Sequence, residues 1–182
     1  MCNNDFFKNH KENISCIVFR EHNIQVKNFT DFQQIEHKKK FKHFFKIAKN
    51  LSLTSGYQKY RLGSIIVIQG KIVAKGVNSS KTHPLQKKLN EDRDDFNCFT
   101  THPIHAEVST LNKVKHLDLK KAEMFIYHAS HEEQPKFARP CLACMNAIIN
   151  SGIKTIHYST ADGFATEYLS SSVSHIHKVK NT

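Results

Sequence analysis

His105, Glu107, Cys141 and Cys144 are the residues whose types and spacing could do chemistry. One imidazole and two thiolates at Cys-x-x-Cys spacing supply three protein ligands for a catalytic zinc and leave a fourth position for water. Water on such a metal gives up a proton near neutral pH and becomes a hydroxide nucleophile. Glu107, two positions after His105, is left over as a carboxylate able to take that proton and pass it on. The chemistry implied is a hydrolysis. Two blander readings stand beside it, since a Cys-x-x-Cys pair also builds structural zinc sites and redox couples. The redox reading ignores His105, and a non-catalytic zinc module has no use for Glu107.

Helices must present these groups. Pro103 and Pro140 suit the first position of a helix, so each half of the motif is expected at a helix N-terminus. The first helix is expected to run through Ile104, Val108, Leu111 and Val114, and the second to Ile149, closed by Gly152. The positive end of the helix dipole then favours thiolate over thiol at Cys141 and Cys144. Upstream, Phe41, Phe44, Phe45, Ala48 and Leu51 recur at three- and four-residue steps, which predicts an amphipathic helix from Lys38. Residues 64–68 and 71–75 read as a β-hairpin turning at Gln69-Gly70, its first strand apolar throughout and buried on both faces. Residues 124–127, 155–158 and 173–179 read as further strands, with a short helix at 165–169 between the last two. This alternation implies an α/β fold, a three-layer α/β/α sandwich around a mixed, mostly five-stranded sheet. Residues 1–37 carry no motif and read as an N-terminal extension, with a short hairpin at 14–19 and 24–26. Residues 38–182 read as the working domain.

With 182 residues, 39% hydrophobic and 10% aromatic, the chain suits one folded domain. Its five cysteines, and a start without a secretory leader, read as reduced, intracellular and cytoplasmic. The longest apolar runs, 14–19 and 65–68, fall far short of the roughly 20 residues that cross a bilayer, so no membrane span is expected. The net charge of +11 has two readings. It would attract a polyanion or a nucleotide phosphate. Yet the excess is mostly lysine, without the arginine and aromatic interleaving of base-stacking surfaces. The row Lys38, Lys39, Lys42, Lys46 and Lys49 is accordingly read as a solvated face in preference to a nucleic-acid track. Residues 79–101 form a polar stretch longer than a simple connection needs, with acidic residues at 91–95. It is a candidate lid, in which Leu85, Leu89, Phe96 and Phe99 close over a ligand while Lys81 or His83 meets a phosphate.

In order, His105-Ala106-Glu107 and Pro140-Cys141-Leu142-Ala143-Cys144 match the H-x-E…P-C-x-x-C signature, and the chain resembles the zinc-dependent cytidine deaminase superfamily. The resemblance covers about residue 38 to about residue 169. The leading helix, the hairpin ending in Gly76-Val77-Asn78 and the stretch Gly152-Ile153-Lys154-Thr155-Ile156-His157-Tyr158 resemble the deoxycytidylate deaminase branch. That resemblance implies Zn2+ on His105, Cys141 and Cys144, with Glu107 as acid and base. It implies hydrolytic deamination of a cytosine nucleotide, dCMP to dUMP with release of ammonia. It also implies that Asn78 binds the sugar hydroxyl, that the Ala106 backbone holds the pyrimidine, and that the protein is a homo-oligomer. A second, structural zinc at His83, Cys98 and His102 is a further, less favoured implication. Ser79 and Ser109 stand where members of the branch often carry Gly and Asn. A helix between the last two strands would place the chain in the branch shared by deoxycytidylate, tRNA adenosine and nucleic-acid-editing cytidine deaminases. Two alternatives stay open: an editing cytidine or adenosine deaminase acting on single-stranded DNA or RNA, and a non-catalytic zinc module.

Overall fold

The computed structural model describes residues 39–57, 59–91 and 101–169. The hairpin at 14–19 and 24–26, the strand at 173–179, and Lys38, Phe96, Cys98 and Phe99 lie outside the described residues. In chain order the elements are α1 (Lys39–Leu53), β1 (Arg61–Ile68), β2 (Lys71–Val77), α2 (Pro84–Asn90), α3 (Ala106–Leu111), β3 (Ala122–Ala129), β4 (Pro135–Lys136), α4 (Leu142–Asn150), β5 (Thr155–Thr160) and β6 (Gly163–Tyr168).

The phenylalanine row becomes α1. Phe41, Phe44, Phe45 and Ala48 are buried against one face of the sheet, while Lys42 and Lys46 are exposed on the other side of the helix. Phe125 of β3 receives Phe41, Phe44 and Phe45 at ring-centroid distances of 5.8, 5.1 and 5.4 Å, and Phe45 stacks on Phe164 at 3.8 Å. The β1–β2 hairpin turns at Gln69 and Gly70, with φ of 49° and 76°. Two successive left-handed residues are what a two-residue type I′ connection requires. Among the described residues the sheet has six strands, in the order β2-β1-β3-β5-β6, with short β4 beside the end of β3. Only β3 and β5 are parallel; the other pairs are antiparallel. The second core, built on Ile66, Met124, Ile126, Met145, Ile148 and Ile156, fills the opposite face, where α4 packs. Helices on both faces make the three-layer sandwich.

Glycine sets how closely α3 approaches. A Cβ built on Gly76 of β2 would lie 2.7 Å from Thr110 N and 2.9 Å from Ala106 O, with the Thr110 hydroxyl closer still. Any side chain there would lift the first turns of α3 off the sheet. Thr110 completes the contact, its hydroxyl 2.7 Å from Ala106 O and 3.0 Å from the buried Ser64 Oγ.

Three sequence expectations change. Residues 165–169 are not a helix: β6 pairs antiparallel with β5 from Gly163↔Thr160 to Tyr168↔Thr155. Its Phe, Thr and Tyr favour a pleated strand, and Ala165 and Glu167 alternate inward. No helix therefore separates β5 from β6. Pro103 and Pro140 do not open helices either. Pro103 sits in a bridge to Thr82, α3 begins at Ala106 and ends before Val114, and α4 begins at Leu142. Proline here fixes an extended approach, and the helix starts only beyond it. Finally, the stretch 79–101 contains α2, with Pro84 in its first turn and His83 as its cap. Among the described residues no helix is long and apolar enough to cross a membrane.

Candidate metal centre

His105 and Cys141 are the cap residues of α3 and α4, with φ, ψ of −80°, 153° and −67°, 166°. An extended cap turns its side chain away from the helix body, so the two helix starts aim their cap groups at each other. Cys141 Sγ is 3.5 Å from His105 Nδ1, and Cys144 Sγ, one turn into α4, is 3.2 Å from it. A tetrahedral zinc, with Zn–S about 2.3 Å and Zn–N about 2.0 Å, spans nitrogen and sulfur edges of about 3.5 Å. The donor set fits that ion in type and spacing. Among the described residues, these three form the one group of His, Cys, Asp or Glu able to hold a metal, with ligand atoms within 4.8 Å of one another. The Cys141 thiol is held well below its ordinary range, chiefly by its hydrogen bond with Cys144, with His105 adding to the effect against the cost of burial.

Glu107 stands beside this set in the first turn of α3, 3% exposed. Its Oε2 is buried and has no hydrogen-bond partner among the described residues. Burial raises the carboxyl above its ordinary value; His105 pulls it down and Cys141 pushes it up. A buried carboxyl with an idle oxygen is costly unless something else occupies the site.

The residues assigned to substrate fall around the same end of the sheet, in varied states. Asn78 is buried, and its side chain joins β1 to β2. Its Oδ1 accepts from Leu62 N at 2.9 Å and Ser55 Oγ at 2.7 Å, and its Nδ2 donates to Tyr60 O. Three of its four hydrogen-bonding capacities are thus spent inside the protein, and one N–H remains. Ala106 is fully buried as the first residue of α3. Lys81 is exposed. Residues 79–83 run beside 102–104, with Ser79 N–H on Ile104 O at 3.1 Å and His83 N–H on His102 O at 2.9 Å, next to His105.

Of the less favoured second zinc at His83, Cys98 and His102, Cys98 lies outside the described residues, and the two histidines make other bonds. His83 Nδ1 accepts from Leu85 N at 3.2 Å to cap α2, and His102 Nδ1 lies 3.3 Å from Asn90 Nδ2. The lid also changes character. Leu85 and Leu89 face α3 and α4, where with Val108, Leu111 and Ala147 they line a cavity of about 460 Å³.

Two groups escaped the sequence reading. Gln86 is fully buried, accepts the His105 N–H at Oε1 (3.0 Å) and donates through Nε2 to Asn90 Oδ1 (3.0 Å), so α2 braces the backbone of His105. The helix-opening His83-Pro84 and the four-residue step from Gln86 to Asn90 were the available signals. His128 sits opposite Leu62 in the β1–β3 register, on the α4 side of β3 with Ile126. Burial lowers its affinity for a proton, and Lys136 and Arg61 lower it further against a bond to Phe137 O.

Similar solved structures include the dCMP deaminase of cyanophage S-TIM5, 24% identical, the match covering 66% of this chain and 83% of that one at a TM-score of 0.46. A structure from work on A-to-I editing by tRNA:A34 deaminases is 19% identical over 64% of this chain and 74% of that one, at 0.40. The diaminohydroxyphosphoribosylaminopyrimidine deaminase/reductase of Thermotoga maritima is 22% identical over 64% of this chain and 28% of that one, at 0.38. No curated protein matches the chain. The sequence model of the cytidine and deoxycytidylate deaminase zinc-binding region matches residues 38–160, from the start of α1 through both halves of the motif to the end of β5. The chain belongs to this family and is a zinc-dependent hydrolytic deaminase.

Proposed function

We propose that the protein deaminates a cytosine nucleotide, dCMP to dUMP with release of ammonia, with one zinc held by His105, Cys141 and Cys144. The observation that carries this reading is Glu107, a buried carboxyl with an unspent oxygen two residues from His105. Zinc bound by these residues supplies an acidified water for attack on the ring carbon that bears the amine. The remaining steps belong to protein groups. Glu107 takes a proton from the attacking water at Oε2 and delivers it to the ring nitrogen beside the attacked carbon; it then takes the proton of the newly added hydroxyl and gives it to the amine, which leaves as ammonia while that oxygen becomes the carbonyl. Its raised proton affinity suits a group that must both accept and donate. The Ala106 backbone holds the pyrimidine, and the remaining Asn78 N–H is offered to the sugar. Lys81 and His83 meet the phosphate.

An editing role on single-stranded nucleic acid is the second reading, favoured by the +11 charge. The lysines of α1 argue against it, since α1 covers one face of the sheet and α4, with its two cysteines, the other. Measuring ammonia release from CMP, dCMP, dCTP, cytidine, deoxycytidine and single-stranded oligonucleotides tests the choice. dCMP is expected to turn over fastest. Preferred turnover of oligonucleotides, bound with steep salt dependence, would transfer the protein to the second reading.

The phosphate contact makes a separate prediction. In Lys81→Gln/His83→Asn the ammonium and the imidazole are both gone, while Asn still offers an acceptor to the Leu85 N–H. KM for dCMP is expected to rise about tenfold or more, as loss of a charge-assisted contact implies, with little change for deoxycytidine. Equal effects on both substrates would mean that neither residue reads phosphate.

A further inference from the structure

Arg139 and Glu167 form a buried ion pair that the chemistry above does not use. The guanidinium donates through Nε to Glu167 Oε1 at 2.6 Å and through Nη2 to Oε2 at 3.1 Å. The two side chains are 12% and 1% exposed. The Tyr158 hydroxyl donates to the same Oε1 at 2.6 Å. Taking two charges out of water is costly and is offset only where geometry is good and further hydrogen bonds complete the carboxylate, as here.

Its position gives the pair a task. Arg139 is two residues from Cys141, and the residue between them is buried Pro140. The proline ring fixes its own φ and confines residue 139 to extended backbone, so little torsional freedom separates the guanidinium from the thiolate. The approach to Cys141 is laced to β5 as well, with Ala138 N–H on Ser159 O at 2.9 Å and Ser159 Oγ on Lys136 O at 2.7 Å. Glu167 belongs to β6, beyond residue 160, where the match to the family ends.

We propose that Arg139 and Glu167 are positioning residues for Cys141, so that β6 holds a ligand-bearing loop in register with His105 and zinc retention depends on a strand outside the matched region. The inference rests on the assignment of His105, Cys141 and Cys144 as zinc ligands. It places no group of the pair in contact with substrate.

The test compares zinc-loaded wild type with Glu167→Gln, Arg139→Lys, Tyr158→Phe and the double variant Arg139→Leu/Glu167→Leu. Ile65→Val, in the core beneath α1, serves as a stability control. Zinc transfer to a chromophoric chelator gives the release rate, and the thiolate-to-metal absorption of cobalt-loaded protein reports ligand geometry. Glu167→Gln is expected to release zinc about tenfold faster or more, the usual cost of losing a group that orients a ligand. Its cobalt band should shift. Arg139→Lys, which keeps the charge without the fork, should fall between wild type and Glu167→Gln. The double variant should recover thermal stability without recovering retention. Should Glu167→Gln fail to fold, Tyr158→Phe carries the test with a smaller change in the same direction. Zinc bound but released equally fast by wild type and every folded variant, or equal acceleration in Ile65→Val, would overturn the inference alone. A wild-type chain that takes up no zinc would overturn the ligand assignment with it.

Discussion

Glu107→Gln is expected to keep its zinc and to lose ammonia release by about 10²–10⁴-fold, the range attributed to a positioned general acid or base. The substitution preserves shape, burial and a polar end, and removes only the capacity to take and return a proton. A drop in kcat with metal content unchanged, measured by ammonia assay and zinc analysis on one preparation, is the signature. A Gln variant that kept wild-type turnover would remove Glu107 from the chemistry.

The same variant makes a prediction of opposite sign for stability. In metal-free protein the carboxyl is raised above its ordinary 4.5 by burial. A folded-state value above the unfolded one means that the folded chain binds the proton more tightly. The wild type is therefore relieved below the unfolded value and loses stability as pH rises through the folded one. Gln does not titrate. Metal-free Glu107→Gln should melt above metal-free wild type at neutral pH and lose that advantage below about pH 4. A buried carboxyl held at a cost to the fold is expected where local consistency gives way to function.

Removal of zinc, by chelation or by Cys141→Ser, is the second large effect expected. Activity should vanish, and stability should fall by about 4 kcal/mol if free zinc exceeds its dissociation constant a thousandfold. The reason is architectural. α3 and α4 have few residues, six and nine, and neither His105 nor Cys141 caps its helix with a side-chain hydrogen bond. Their starts are joined instead by whatever His105, Cys141 and Cys144 bind. Hydrogen exchange should therefore quicken first at the start of α3 and α4, while β1 and β3 beneath α1 stay protected. Uniform loss of protection across the sheet would mean that the site is not a local staple.

How much of this was legible depended on how local each signal was. The zinc-type ligands and Glu107 stood out because few other tasks need those residue types in that order. The helix α1 was readable because Phe41, Phe44, Phe45 and Ala48 repeat with the helical period and lysines fill the gaps. The hairpin was readable because Gln69-Gly70 interrupts two apolar runs. What escaped was decided by partners distant in sequence. Residues 165–168 become strand because the open edge of β5 offers them hydrogen bonds, which local propensity does not reveal. Gln86 and Glu167 are polar residues outside any motif, and their burial is explained by partners distant in sequence, the His105 N–H for the first and the Arg139 fork with the Tyr158 hydroxyl for the second. Pro103 and Pro140 misled by three residues and by two, because a side chain that must point out of a helix end needs extended backbone before it.

The placement of α1 has a consequence for how the protein behaves among polyanions. Its exposed Lys42 and Lys46 lie one helix layer above the sheet and the cysteines of α4 lie below it, a separation on the order of 20 Å when a helix and a sheet layer each add roughly 10 Å. That exceeds the screening distance of about 8 Å in physiological salt. A strand of nucleic acid or an acidic surface adsorbed on these lysines would hold the molecule by its α1 face, and its charge would be largely screened before it reached His105, Cys141 and Cys144.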